Sequence, residues 1–92
     1  MDLFKLINNK KTTIVDVRTP QEFSENRVES SMNIPLNVIP EKIKELKEMQ
    51  PIVMCCAAGI RSGQAVEFLK SNGFVEVFNG GSWNDVLNML ES

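Results

Sequence analysis

The sequence predicts an α/β fold, a central parallel sheet of four to five strands with helices on both faces. Three observations carry this. Short β-branched or apolar runs, Thr13–Val17, Ile52–Cys55 and Phe74–Phe78, read as strands. Stretches with apolar residues at helical spacing lie between them. Cap, proline and glycine signals separate the two kinds of segment. Strands that alternate with helices need crossover connections, and crossovers produce parallel pairing. At 92 residues and 42% apolar content, the expectation is a single domain, residues 1–92, with a small core.

In chain order, Leu3, Phe4, Leu6 and Ile7 give residues 2–9 the pattern of a short docking helix, ending at Asn8-Asn9-Lys10. Thr13–Val17 is a buried strand that Arg18 ends. Thr19-Pro20-Gln21-Glu22 then fits a helix start: Thr19 caps, Pro20 takes the first helical position, and Glu22 stands three residues after the cap. Phe23 supplies this helix with its apolar contact. Asp16, Arg18 and Glu22 gather at the strand end. A capping box plus an Arg18–Glu22 ion pair, tying strand to helix, is the favoured reading over a direct chemical role. Residues 27–31 read as loop, and Met32-Asn33-Ile34 as a short strand stopped by Pro35. Pro40 is expected to open the next helix, with Ile39, Ile43 and Leu46 on one face and a solvated charged face carrying a Lys44–Glu48 pair.

After Pro51 the apolar run Ile52-Val53-Met54 leads into Cys55-Cys56-Ala57-Ala58-Gly59-Ile60-Arg61-Ser62. This reads as strand, tight loop and helix start. Such a loop turns several unpaired N–H groups toward one spot, and the helix adds partial positive charge there. A thiol in that spot is driven toward thiolate, its reactive form. Arg61 favours the anion further and offers a planar fork to oxyanions. Ala57, Ala58 and Gly59 leave room for a bound group. The plainer alternative is a buried cysteine acting as a small hydrophobe, but the order strand, glycine, arginine, helix favours the functional one.

The following helix is expected from about Ile60 to Asn72, with Ala65, Val66, Phe68 and Leu69 apolar and Gly73 as its stop. Phe74–Phe78 reads as a strand, Asn79-Gly80-Gly81 as a turn, and Ser82 as the cap of a last helix with Asp85 three residues on. Trp83, Val86, Leu87 and Leu90 share one face of it, Trp83 as a core or edge anchor. Ligands of parallel sheets sit beyond the strands' carboxyl ends. Asp16–Arg18 and Cys55-Cys56 both fall there, so the two polar clusters can meet.

Composition narrows the chemistry. A net charge of −2 with both signs scattered argues against a nucleic-acid partner. No stretch is long and apolar enough to span a bilayer, and residues 1–9 lack a signal-peptide pattern, so a cytoplasmic location is expected. Adjacent Cys55 and Cys56 make a poor disulfide, which fits a reducing compartment. The chain has no histidine and no tyrosine. That excludes Cys-His and Ser-His-Asp devices within it and the usual zinc ligand sets, so neither metal nor other cofactor is expected. A reactive Cys56 would be activated by backbone, helix and Arg61 alone.

These residues together resemble the rhodanese-like domains, the single-domain sulfurtransferases, over about residues 13 to 87. Asp16-Val17-Arg18 with Glu22-Phe23 is similar to that family's Asp-Val-Arg…Glu-Phe signature, and Asn33-Ile34-Pro35 to its Asn-Ile-Pro. Cys56-Ala57-Ala58-Gly59-Ile60-Arg61-Ser62 is similar to its Cys-x-x-Gly-x-Arg-Ser active loop, and Gly73-Phe74 and Gly80-Gly81 to its late glycine signals. The resemblance implies sulfur transfer. The loop cysteine, by position Cys56, attacks the outer sulfur of a donor such as thiosulfate or a persulfide. It then holds that sulfur as a persulfide and passes it to cyanide or a thiol, protein thiols included. N–H groups of Ala57, Ala58, Gly59, Ile60 and Ser62 would cradle the persulfide. Arg61 would steer the anionic donor, Arg18 assisting, with Asp16, Glu22 and Cys55 in support. A monomer without nucleic-acid or membrane partners is expected. Asn26-Arg27-Val28 and Ser30-Ser31 stand where the family carries Gly-His-Ile and Gly-Ala, and the short N-terminal portion puts a first edge strand in question.

Two other readings stay open at this level. Five residues separate Cys55 from Arg61-Ser62, the Cys-x5-Arg spacing of phosphatases and arsenate reductases, although Met54 precedes Cys55 where these have histidine and Ala58 replaces their glycine. A non-catalytic binding module is the other, against which the intact loop argues. Strand pairing bears on the choice: if Cys55 is paired and faces the core, it is structural or a resolving thiol, and Cys56 is the first loop residue.

Overall fold

The computed structural model describes residues 2–91, so Met1 and Ser92 of the expected domain lie outside it. The elements are α1 (Leu3–Ile7), β1 (Thr13–Asp16), α2 (Pro20–Glu25), β2 (Met32–Asn33), a 3-10 helix (Leu36–Lys42), α3 (Ile43–Lys47), β3 (Ile52–Cys56), α4 (Ile60–Lys70), β4 (Val77–Ser82) and α5 (Trp83–Met89). The strands form one four-stranded sheet in the order β2-β1-β3-β4, every pair parallel. The fold is thus α/β with helices on both faces, and its two central strands carry the residues singled out from the sequence.

Side chains alternate along each strand, so the sheet feeds two cores. Val15, Ile52, Met54 and Cys56 face Ile39, Leu46, Ala65 and Leu69 from the 3-10 helix, α3 and α4. Ile14, Val53 and Cys55 face Leu6 and Ile7 of α1 and Val86 of α5 on the other side. β3 is buried at every position, as a central strand covered on both faces must be. Among the described residues no helix is long and apolar enough to cross a membrane.

The expected caps are present. Thr19 Oγ1 accepts from the Glu22 N–H while the Glu22 carboxylate accepts from the Thr19 N–H, completing the capping box of α2. Ser82 caps α5 through the Asp85 N–H at 3.0 Å.

Five expectations are corrected. Pro40 lies inside the 3-10 helix instead of opening a helix, and α3 begins at Ile43 with no side-chain cap. The nearby ion pair is Lys42–Glu45, not Lys44–Glu48. Phe74–Phe78 is not the fourth strand: Gly73 at φ 89° turns the chain off α4 and Phe74 folds back as a buried lid. Val75 is 80% exposed, and pairing starts only at Val77. Asn79-Gly80-Gly81 is no turn but the middle of β4, with a bulge: Asn79 pairs with Met54 and Gly81 with Cys55, leaving Gly80 as the extra residue. A Cβ on Gly80 would stand 2.7 Å from Val53 Cγ1 and 2.8 Å from Val86 Cγ2, so the bare backbone is what lets α5 close on β3. On α5 itself Val86 is buried, while Leu87 is exposed and does not share the core face.

Candidate active site

The loop between β3 and α4 encloses the sulfur of Cys56. Gly59 sits at the N-cap of α4 with φ 91°, a left-handed conformation that glycine adopts without strain, and this turns its N–H inward. Cys56 Sγ accepts from the Gly59 N–H at 3.0 Å and the Ser62 N–H at 3.4 Å, and Ser62 Oγ stands 3.3 Å away. These N–H groups belong to the first turn of an eleven-residue helix, where none has an intrahelical partner. Burial pushes the thiol pKa up. Hydrogen bonds from the Ser62 side chain and from the N–H groups of Ser62, Ala58 and Gly59 outweigh it, and the net direction is downward, toward thiolate. The residue is 1% exposed, beneath a rim in which Ala57, Ala58 and Ile60 are open to solvent.

Cys55 lies in a different environment. It is fully buried on the α1/α5 face, paired with Asp16 and Gly81. Burial, then the charge of Asp16, push its thiol up to about 12 against the opposing pull of Arg18. Successive strand residues face opposite sides, so the loop amides that serve Cys56 are out of reach of Cys55. The Cys-x5-Arg register therefore has a protonated, enclosed thiol at its first position, and a resolving role for Cys55 would require β3 to come apart. Cys56 itself is the last strand residue, paired with Ser82, instead of the first loop residue.

The charged residues pair differently from expectation. Arg18 bonds Asp16, its Nη2 at 2.7 Å and its Nε at 3.0 and 2.9 Å from the two carboxylate oxygens. It also donates to the Asn26 carbonyl at 2.7 Å and lies 5.2 Å over the Trp83 ring. At 4% exposure, with its fork so engaged, Arg18 ties β1 to the end of α2 and to α5 and is not offered to a donor anion. Its expected partner Glu22 instead receives Arg61 in a two-point bond, 2.8 and 3.0 Å. Arg61's terminal nitrogens are therefore shared with a carboxylate in this state. The Glu22 carbonyl, 3.5 Å from Arg18 Nη1, joins the two polar clusters.

One residue at the site had no sequence signal. Asn79 reaches from β4 across the mouth of α4: its Oδ1 accepts from Ser62 Oγ at 2.7 Å and the Gly81 N–H at 2.9 Å, and its Nδ2 donates to the Gly59 carbonyl at 3.0 Å. An asparagine before two glycines reads as turn chemistry; its in-register pairing with Met54, two residues on from Val77 and so on the same face of β4, brings it here. A groove of about 930 Å³ borders the loop at Gly59 and Ile60 and runs past Asn79 and Phe78, without reaching Cys56.

The chain matches one family model, the Rhodanese-like domain, over residues 2–88. Thiosulfate sulfurtransferase PspE of Escherichia coli is 34% identical over 74 residues, which cover 78% of this chain and 71% of that protein. Uncharacterized protein YqhL of Bacillus subtilis is 33% identical over 70 residues, 76% of this chain and 56% of YqhL. Among solved structures, a rhodanese-related protein from Thermoplasma volcanium superposes with a TM-score of 0.76 at 33% identity, covering 95% of this chain and 84% of that one.

Proposed function

The chain belongs to the rhodanese-like domain family, and on that premise we propose that it is a sulfurtransferase carrying sulfur on Cys56. The observation that carries the reading is the thiol held at the N-terminus of α4 by inward N–H groups, 3.0 and 3.4 Å from its sulfur. A relative named thiosulfate sulfurtransferase supports it. The Cys56 thiolate attacks the outer sulfur of a donor such as thiosulfate, the donor's S–S bond breaks, and sulfite leaves with the electron pair. The persulfide left on Cys56 is an anion at its terminal sulfur, and the amide-lined loop with the helix dipole is suited to hold it. An acceptor thiolate or cyanide then attacks that terminal sulfur and regenerates the thiolate. No base within the chain is required, because the thiol is already shifted toward ionisation. With Cys56 1% exposed, the rim at Ala57 and Ala58 must part to admit the donor. The acceptor is a small thiophile or a protein thiol.

Mass spectrometry after thiosulfate treatment tests this. Wild type and Cys55→Ala gain one sulfur and Cys56→Ser gains none. Sulfur found on Cys55 and persisting in Cys56→Ser would overturn the assignment.

A further inference from the structure

Ser62 has one hydroxyl hydrogen and two neighbours able to take it. Its Oγ lies 3.3 Å from Cys56 Sγ and 2.7 Å from Asn79 Oδ1. The other partners of Asn79 decide between them. The Gly81 N–H, 2.9 Å from Oδ1, can only donate; the Gly59 carbonyl, 3.0 Å from Nδ2, can only accept. A flipped amide would set donor against donor and acceptor against acceptor, so Oδ1 is the atom that faces Ser62. It carries no hydrogen, and Ser62 must donate to it. With Cys56 protonated the bonds then run one way, Sγ–H to Ser62 Oγ and Oγ–H to Asn79 Oδ1. With Cys56 ionised that order fails, because oxygen lone pairs would face a thiolate. Rotation of the hydroxyl hydrogen from Asn79 to Sγ repairs it and leaves Oδ1 with the Gly81 N–H alone.

We propose that Asn79 is a positioning residue that competes with the Cys56 sulfur for the Ser62 hydroxyl hydrogen, so that the hydroxyl points to Asn79 when the sulfur is a neutral thiol and to the sulfur when it is an anion. The Cys56 proton leaves to solvent and Ser62 transfers none; only the hydroxyl rotor turns. The helix leaves space for this contact. A Cβ on Gly63 would come 3.3 Å from Asn79 Nδ2, and a glycine inside a helix is otherwise a cost. The value of the device for a sulfur cycle rests on the function proposed above, since thiolate and persulfide are both anions; the hydrogen-bond competition does not.

The test follows the ultraviolet absorbance of the Cys56 thiolate against pH, with no sulfur donor present. No tyrosine obscures it, and Cys55 titrates only at about 12. Asn79→Ala is made both in wild type and in Ser62→Ala, so that any loosening of the Gly59 loop is common to the two backgrounds. With Ser62 present, the substitution should move the Cys56 pKa about half to one pH unit further downward than with Ser62 removed, the size of one neutral hydrogen bond. Equal movement in both backgrounds, or a more upward one with Ser62 present, would overturn the inference. If that coupling is absent while Cys56 still loads sulfur from thiosulfate, only the role of Asn79 falls. If the coupling is found and no sulfur loads, the sulfurtransferase reading falls and the competition stands.

Discussion

Replacing Glu22 with glutamine separates the charge of this side chain from its shape. The carboxylate accepts from Arg61 at 2.8 and 3.0 Å and from the Thr19 N–H at 3.0 Å, and glutamine keeps one acceptor while turning an amide donor toward the guanidinium. Glu22 and Arg61 are 35% and 34% exposed, so water screens the pair, and even its two-point geometry is worth no more than about 1 kcal/mol. Weakening the reciprocal half of the capping box adds about 0.5 kcal/mol. The sum, about 1–1.5 kcal/mol, corresponds to a fall in melting temperature of roughly 5–10 °C for a domain of this size. The pH dependence is the sharper readout. The Arg61 bonds first, then the Thr19 N–H, lower the Glu22 pKa from 4.5 to about 2. A carboxyl whose folded pKa is depressed stabilises fully above its unfolded value and loses that contribution as pH falls through the folded one. Melting curves of wild type and Glu22→Gln should therefore differ by a constant amount above about pH 5 and converge as pH approaches 2. A gap that persists undiminished at that pH, or no gap at neutral pH, would refute the argument.

Two further substitutions probe the frame of the site. Asp16→Ala leaves the Arg18 guanidinium buried without its carboxylate, and should cost about 3–5 kcal/mol in urea unfolding, close to the whole stability of a small domain; a loss under 1 kcal/mol would mean that Arg18 swings out to water. Gly80→Ala drives a methyl against Val53, Val86 and the Met54 carbonyl, and should lower the urea midpoint by the equivalent of about 1–3 kcal/mol with an unchanged m-value; an unchanged midpoint would show that β4 shifts freely.

Legibility in the sequence followed the range of the interaction. The Thr19 and Ser82 caps, the loop from Cys56 to Ser62 and the parallel pairing of the strands are readable, because caps and tight loops are set within a few residues and strand–helix alternation calls for parallel pairing; the strand order is not. Nor are the long-range pairings. Arg18 and Glu22 are close in sequence and of opposite charge, yet Arg18 bends back to Asp16 and Glu22 turns to Arg61, thirty-nine positions on. β4 was misplaced because Phe74, Val75 and Phe78 suggest a strand while Asn79-Gly80-Gly81 suggests its end. In three dimensions Phe74 covers a helix end, and the glycines stay in the strand because Val53 and Val86 fill the space above Gly80.

Local residue order alone requires that a cysteine stand where a strand gives way to a helix, with no imidazole to help it. It does so because that arrangement needs only neighbouring residues and a backbone that can turn at Gly59. The loop motif points to Cys56, but which of the two adjacent thiols meets the amides, and which side chain takes the Ser62 hydroxyl hydrogen, rest on long-range packing. The first depends on strand pleat, which sends Cys55 and Cys56 to opposite faces of the sheet. The second depends on the register of β4 against β3, which pairs Asn79 with Met54 and delivers it from seventeen residues away. Both are matters of register, and register is fixed by what packs on the two sides of the sheet.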